Sequence, residues 1–181
     1  MRYASMRSLD ISNGENVGVS LFVQGCDRHC YNCFNPETWD FNGGKEWTDK
    51  TKNKFLKLID RPYIKRVSLL GGEPLAEPNL DEVLSLVKEI CISFPEKSIW
   101  LYTGYAWNHV MYPIVTDDIN LKRDKILEMR KDIVSNVDVL VDGEYMDEQR
   151  DVTLKWRGSK NQRVIDVKES IAQNKIVLYC D

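Results

Sequence analysis

The sequence predicts an α/β fold in which a mainly parallel sheet is covered by helices. Short apolar runs with strand-like spacing alternate along the chain with stretches of helical spacing, and this alternation is typical of parallel sheets. No internal repeat, low-complexity tract or linker divides the 181 residues, which are enough for one well-cored domain but too few for two ordinary ones. We therefore expect a single domain over residues 1–181, either an open doubly wound sheet or a closed or partial barrel.

Four strands and three helices are predicted in alternation. Apolar residues recur at every second position from Val17 to Val23, which predicts the first strand, and Leu80, Val83 and Val87 share one face of a predicted helix. The predicted strands cover residues 17–23, 67–70, 98–103 and 137–141, and the predicted helices cover 48–60, 79–94 and 121–135. Residues 111–120 are predicted to be a loop or an insertion. The tail after residue 142 is predicted to be loop-rich, with short apolar pieces at 164–167 and 176–179.

Charge and hydropathy exclude several classes of function. The 25 Lys and Arg residues against 28 Asp and Glu residues give a net charge of -3, which argues against an electrostatic binder of nucleic acid or anionic membranes. No apolar run approaches the roughly 18 residues of a membrane span. We expect a cytoplasmic protein, whose five cysteines are kept reduced, so that a tight cysteine cluster favours a metal site over a disulfide.

Three cysteines follow the first predicted strand in the spacing C-x3-C-x2-C, as Cys26, Cys30 and Cys33. Soft thiolate ligands suit zinc or iron–sulfur clusters, and three protein ligands leave one coordination position for a small molecule. His29 keeps open a closed Cys3His zinc site, and Cys30 with Cys33 keeps open a thioredoxin-type redox pair.

The loop resembles the signature of radical S-adenosylmethionine (SAM) enzymes, and Gly71-Gly72-Glu73-Pro74 after the second strand resembles their Gly-Gly-Glu-Pro motif. Two matches in this order, at the ends of successive strands, are much more specific than either one. Within that superfamily the chain is similar to the activases of the anaerobic ribonucleoside-triphosphate reductase. The segments that support this likeness are 25–39, 102–105, 139–143 and 156–163. The likeness covers about residues 10–166, and the segment 111–132 and the tail beyond 167 depart from the pattern.

The resemblance implies that Cys26, Cys30 and Cys33 hold a [4Fe-4S] cluster whose open iron binds the amino and carboxylate groups of SAM. One electron from the reduced cluster then cleaves the sulfonium bond, which gives methionine and a 5'-deoxyadenosyl radical. Cluster and cofactor carry the chemistry, so no side chain is predicted to be catalytic. The residues predicted to contact the cofactor are Gly71, Gly72, Glu73, Pro74, Tyr31 and Gly104.

The glycine pair makes physical sense at a strand end that faces a ligand, because a backbone without Cβ can approach closely. Glu73 is predicted either to accept from the methionine ammonium or to hold the loop in shape, and Pro74 fixes the exit from the turn. An ordinary strand-to-loop turn would also contain Gly-Gly and Pro. Tyr31 and Phe34 either shield the cluster or adenine, or are simply packed aromatic residues.

The resemblance further implies an oxidoreductase that removes an α-hydrogen from one glycine of the reductase large subunit and leaves a glycyl radical there. It also implies an electron donor such as flavodoxin. A protein substrate can reach the cofactor only if that end of the barrel is open. This predicts a partial (βα) barrel of about six mainly parallel strands. Alternatives are a pyruvate formate-lyase activase, a 7-carboxy-7-deazaguanine synthase, or a zinc-binding adaptor without turnover.

Four further features lie outside the two motifs. Arg157, within segment 156–163, pairs with a carboxylate, docks the partner or is a plain surface arginine, and Asp142-Gly143 is typical of a turn. Cys91 lies on the apolar stripe of its helix and is predicted to be a core residue, whereas Cys180 receives no role.

Overall fold

A computed structural model describes residues 1–113 and 120–180, whose strands form one sheet in the order β3-β1-β2-β4-β5-β6-β7-β8. The strands are β1 Arg2–Asp10, β2 Gly18–Val23, β3 Lys45–Glu46, β4 Arg66–Gly71, β5 Ser98–Tyr102, β6 Val139–Asp142, β7 Arg163–Asp166 and β8 Leu178–Cys180. The helices are α1 Asp49–Ile59, α2 Leu80–Ser93, α3 Trp107–Met111, α4 Leu121–Ser135 and α5 Val167–Gln173. The α/β fold class predicted from the sequence is therefore confirmed.

The centre of the sheet is parallel and its two sides are antiparallel. Strands β2, β4, β5 and β6 pair in parallel, whereas the other four of the seven described pairings are antiparallel. The expectation of about six mainly parallel strands is therefore wrong in both respects. Among the described residues the two end strands of the order, β3 and β8, do not pair with each other, so these strands form no closed barrel.

The two faces of the sheet are covered differently. Alternate strand residues such as Leu21, Leu69 and Leu101 are buried in one apolar cluster, to which each of the five described helices contributes. The residues between them point to the opposite face, where Trp100 and Val141 form a second, smaller cluster. Helices thus cover one face, and loops and the C-terminal strand close the other.

The predicted helices are confirmed with small shifts at their ends, and α4 covers the predicted residues 121–135. Thr48 caps α1 by accepting a hydrogen bond from the Thr51 amide at 3.3 Å, and Asn120 caps α4 by accepting from the Arg123 amide at 3.0 Å. Most of the loop predicted at 111–120 lies outside the described residues. None of the helices that the structure describes is long and apolar enough to cross a membrane.

A buried ion pair fixes the loop that joins β1 to β2. The guanidinium of Arg66, which is fully buried, lies 3.3 Å from the Asp10 carboxylate and donates to the Glu15 carbonyl at 3.0 Å. Asp10 also accepts hydrogen bonds at 2.9 Å from the amides of Ser12 and Asn13. Burial acts to raise the pKa of Asp10, but these hydrogen bonds outweigh it and lower the pKa to about 2.

We expect Asp10→Asn to lower the free energy of unfolding by at least about 2 kcal/mol at pH 7. Because the folded-state pKa of Asp10 lies below the unfolded value, its contribution is complete above about pH 4 and is lost as the pH falls toward 2. Urea unfolding measured across this range should show a weaker pH dependence for the variant. An unchanged pH dependence would contradict this assignment.

Candidate functional site

A cavity of about 560 Å³ opens at the carboxyl ends of the parallel strands. All three cysteines of the loop after β2 line it, together with residues from the ends of β4 and β5. Among these are Gly71, Gly72, Glu73 and Gly104. Residues separated by up to 78 positions in the sequence are thus brought to one edge of the sheet, where ligands bind in such folds.

The cysteine loop is held by its backbone. The amides of Gly25 and Cys26 donate to the carbonyls of Thr38 and Trp39 at 2.8 and 3.0 Å, which ties the loop to the following turn. Gly25 has a φ of 95°, and a Cβ there would lie 2.1 Å from the ring of Phe41. Only glycine fits this close approach, and it turns the chain directly from β2 into the first cysteine.

The thiols have the surroundings of cluster ligands. The Arg28 amide donates to Cys26 Sγ and the Asn35 amide donates to Cys33 Sγ, each at 3.4 Å, and hydrogen bonds of this kind tune iron–sulfur centres. Burial raises the pKa of Cys30 to about 11 and moves the pKa of Cys26 in the same direction. Without metal, the thiols of Cys26 and Cys30 are therefore protonated, and metal binding would displace their protons. Soft donors on one cavity wall fit an iron–sulfur cluster.

The side chains of the cysteine loop stay apart from one another in the part of the chain that the structure describes. There, no three His, Cys, Asp or Glu side chains converge to hold a single metal ion, and the five cysteines are free. The His29 ring stacks on Trp39 with 4.7 Å between ring centroids. His29 is otherwise exposed, and a zinc site that includes it stays an alternative.

Gly71, the last residue of β4, and Gly72 begin the glycine loop, residues 71–74, and join it to the cysteine loop. A Cβ on Gly72 would lie 2.5 Å from the Gly25 carbonyl oxygen, and the Glu73 amide donates to that same oxygen at 2.8 Å. Gly71 has a φ of 105°, and a Cβ there would lie 2.8 Å from the Cα of Phe22. Contact between backbones, and not only closeness to a ligand, therefore requires glycine at both positions.

Glu73 is 1 % exposed, and both of its carboxylate oxygens are engaged. They accept hydrogen bonds from the Leu75 amide at 2.9 Å and from the Thr103 hydroxyl and the Gly104 amide, both at 2.8 Å. Burial raises the pKa of Glu73 in spite of these donors. Of the two roles predicted from the sequence, these contacts correspond to holding the loop, and contact with a cofactor ammonium stays a prediction.

Two of the predicted cofactor residues do not line the cavity in the described structure. Pro74 is buried behind the glycine loop, and Tyr31 is 75 % exposed at the tip of the cysteine loop. Phe34 does line the cavity and packs on Tyr145 with 5.0 Å between ring centroids. Contact of Pro74 or Tyr31 with a cofactor therefore remains a prediction.

Sequence reasoning missed a stack of side chains beside the cavity. The ring of Tyr105 lies between the guanidinium groups of Arg28, 3.8 Å from the ring centroid, and Arg130, 4.1 Å from it. Arg130 also donates to the Tyr105 hydroxyl at 2.7 Å and to the Leu75 carbonyl at 2.8 Å. Arg130 lies 25 residues from Tyr105 in the chain, and no local pattern indicated the contact.

The segment 156–163 acquires a physical role that the sequence did not provide. Gln162 accepts from the Gly158 amide and donates to the Gly143 carbonyl, both at 2.9 Å, and Arg163 donates to Asp142 at 3.0 Å. A Cβ on Gly158 would lie 2.8 Å from the ring of Phe34. The segment is therefore folded over the end of β6 and packs against the cysteine loop.

Cys91 lies apart from the cavity, where its thiol donates to the Asn136 carbonyl at 3.3 Å on the helical side of the sheet. We expect Cys91→Ala to bind iron and to be active as the unchanged protein is, because the side chain acts there as a small packed residue. Iron and sulfide analysis after anaerobic reconstitution measures this. Loss of iron from a folded Cys91→Ala protein would show that the packing role is wrong.

Comparison with known proteins agrees with this geometry. A family model described as a 4Fe-4S single cluster domain matches residues 12–165, so the fold and the cysteine site define a single-cluster iron–sulfur protein. Three curated relatives, each named anaerobic ribonucleoside-triphosphate reductase-activating protein, align with about nine-tenths of the chain. They come from Salmonella typhimurium (35% identical; 91% of this chain, 97% of the relative), Escherichia coli K12 (34%; 91% and 97%) and Enterobacteria phage T4 (37%; 91% and 93%). The chain belongs to the family of anaerobic ribonucleoside-triphosphate reductase-activating proteins.

Proposed function

We propose that this protein is a radical SAM activase, which cleaves SAM reductively and generates a glycyl radical on the anaerobic ribonucleoside-triphosphate reductase. The observation that carries the proposal is the convergence of Cys26, Cys30 and Cys33 with the Gly71-Gly72-Glu73 loop on one cavity. When bound, the cluster and SAM supply the chemistry, in which one electron cleaves the sulfonium bond to methionine and a radical that takes a glycine α-hydrogen. The electron comes from a low-potential one-electron donor of the flavodoxin type.

The residues of the chain hold and orient these groups. Cys26, Cys30 and Cys33 would be the three cluster ligands, which leaves the fourth iron for the amino and carboxylate groups of SAM. Glu73 fixes the glycine loop and the Gly104 turn relative to each other, so that backbone groups at both strand ends face the bound cofactor. The methionine ammonium would be bound at the Gly71-Gly72 turn.

The rim of the cavity suits a polypeptide substrate. Tyr31 is 75 %, Phe34 57 % and Val152 83 % exposed, and both Phe34 and Val152 line the cavity. Exposed apolar side chains around a cavity mouth are typical of protein-binding surfaces. We infer that the segment of the reductase that carries the target glycine enters here. A partial barrel stays our interpretation of the sheet, and it is supported by the presence of all described helices on one face.

The test is anaerobic mixing of the reconstituted protein with the reductase, SAM and a reductant. We expect 5'-deoxyadenosine and a glycyl radical doublet in the electron spin resonance spectrum. The relatives named for this reductase favour it over pyruvate formate-lyase or a small-molecule substrate. Formation of 5'-deoxyadenosine without a radical on the reductase would indicate a radical SAM enzyme that acts on another substrate. A metal content of about one zinc in place of about four irons would overturn both the radical SAM chemistry and the reductase as its substrate.

A further inference from the structure

Four arginines are among the described residues that line the cavity, and three of them are held by a neighbouring side chain. These three pairs are Arg7 with the Asp10 carboxylate at 3.4 Å, Arg28 over the Tyr105 ring at 3.8 Å and Arg150 over the Phe34 ring at 5.5 Å. Arg157 is the exception, because within residues 1–113 and 120–180 its guanidinium pairs with no carboxylate and lies over no aromatic ring. Its Nε, like that of Arg28, is buried without a hydrogen-bond partner among these residues. A buried donor left unpaired costs free energy unless a ligand or water satisfies it.

The backbone on both sides of Arg157 is fixed. Trp156 has a left-handed φ of 59° and packs edge-to-face on Trp100 at 4.9 Å between ring centroids. The Gly158 amide donates to Gln162 at 2.9 Å, and the α-carbon of Gly158 lies against the ring of Phe34. The structure therefore fixes the backbone of Arg157 at the cavity wall, while no described side chain binds its guanidinium. A residue held in this way is preorganised to bind a ligand.

The carboxylates of the cavity are already used within the protein. Glu73 accepts its three hydrogen bonds from the two loops, and Asp151 accepts from the Thr153 hydroxyl at 2.6 Å and lies 3.6 Å from the Lys160 ammonium. No carboxylate of the described cavity wall is thus left for Arg157. A planar guanidinium matches a carboxylate with two parallel hydrogen bonds, and matches a neutral acceptor less well.

We propose that Arg157 binds the carboxylate of a ligand in this cavity. The inference rests on the proposed function, which provides two sources of that group. One is the methionine carboxylate of SAM, and the other is an acidic side chain in the segment of the reductase that enters the cavity. Either carboxylate would accept hydrogen bonds from the guanidinium, and the two sources differ in whether the reductase must be present.

The experiment is a double-mutant cycle between the residue and the ligand. SAM and decarboxylated SAM, which lacks only the carboxylate, are titrated into the reconstituted, unreduced protein, where no turnover occurs. If SAM is the source, Arg157→Gln weakens SAM binding about 10- to 100-fold and leaves decarboxylated SAM within about twofold of the unchanged protein. Arg157→Lys, which keeps the charge without the fork, should fall between the two.

Lys155→Gln is the matched control, since it removes the same charge from an exposed position two residues away, outside the described cavity lining. If SAM binds equally well to Arg157→Gln and to the unchanged protein, the next measurement is the reductase concentration that gives half of the maximal glycyl radical yield. An increase of about tenfold in this reductase concentration, with 5'-deoxyadenosine formation unchanged, assigns the carboxylate to the reductase.

Equal SAM binding and equal half-saturation by the reductase in the folded Arg157→Gln and Arg157→Lys proteins would overturn the inference. So would equal weakening of SAM and decarboxylated SAM, because a loss that does not depend on the carboxylate is structural. If instead the unchanged protein binds SAM but forms no radical on the reductase, the proposed substrate fails while the SAM arm of this test still applies.

Discussion

Replacement of Cys30 by alanine is expected to abolish SAM cleavage while the fold remains. Under the proposed function the three thiols on this loop would hold the cluster, and removal of one would leave two, which are too few to retain it. The loop is tied to its neighbours by backbone hydrogen bonds of Gly25 and Cys26 that do not involve the Cys30 side chain. Iron content and 5'-deoxyadenosine formation under a strong reductant are the measurements, and both should fall to background.

The same result is expected for Cys26→Ala and Cys33→Ala. Cys91→Ala is the matched control, because it makes the same chemical change on the helical side of the sheet. Thermal unfolding of the metal-free proteins should show similar midpoints for all four variants. Detection of 5'-deoxyadenosine from the Cys30→Ala protein would contradict the assignment of the three cysteines as cluster ligands.

Replacement of Gly72 by alanine is expected to lower SAM affinity at least tenfold, because it separates the two loops that form the site. The added Cβ would meet the Gly25 oxygen at 2.5 Å, the Gly25 carbon at 3.0 Å and the Gly25 nitrogen at 3.1 Å, all of which are backbone atoms. Gly25 has no room to retreat, since it is bound to Thr38 and lies against Phe41. A shift of one ångström in a binding loop is enough to cost a factor of this size.

Gly104→Ala provides the comparison. The Cβ added there would meet Arg28 Cγ at 3.0 Å, and a side chain can move where a backbone cannot. Equilibrium titration with SAM should therefore rank the proteins as unchanged, Gly104→Ala and Gly72→Ala in order of falling affinity. Equal affinities of the Gly72→Ala and Gly104→Ala proteins would show that the contact between the loops does not control the cofactor site.

The parts of the fold that were predicted are those with strong local patterns. The parallel strands β2, β4, β5 and β6 are short apolar segments, and the helices α1 and α2 carry an apolar repeat of helical period. The strand β1 was missed because most of its residues are half-buried or exposed, so its sequence carries no alternation of apolar and polar residues. The strand β3 has two residues, Lys45 and Glu46, too few for any period to be visible.

The features of the candidate site that were predicted are likewise those with a local pattern in the sequence. The three cysteines were indicated by their spacing in the chain, and the glycine loop by its resemblance to a family motif. The docking of Gly72 on Gly25, the engagement of Glu73 by Thr103 and Gly104, and the stack on Tyr105 join residues that are distant in sequence. No local pattern encodes such contacts.

The sequence by itself determined the soft sulfur donors, their spacing and the α/β class, because ligand chemistry and the periods of helices and strands are local properties of the chain. Tertiary structure alone decided the antiparallel sides of the sheet, the packing of segment 156–163 on the cysteine loop, and the burial of the Arg157 Nε without a partner among the described residues. Those features depend on which distant surfaces meet when apolar area is buried, and that outcome belongs to the whole chain at once.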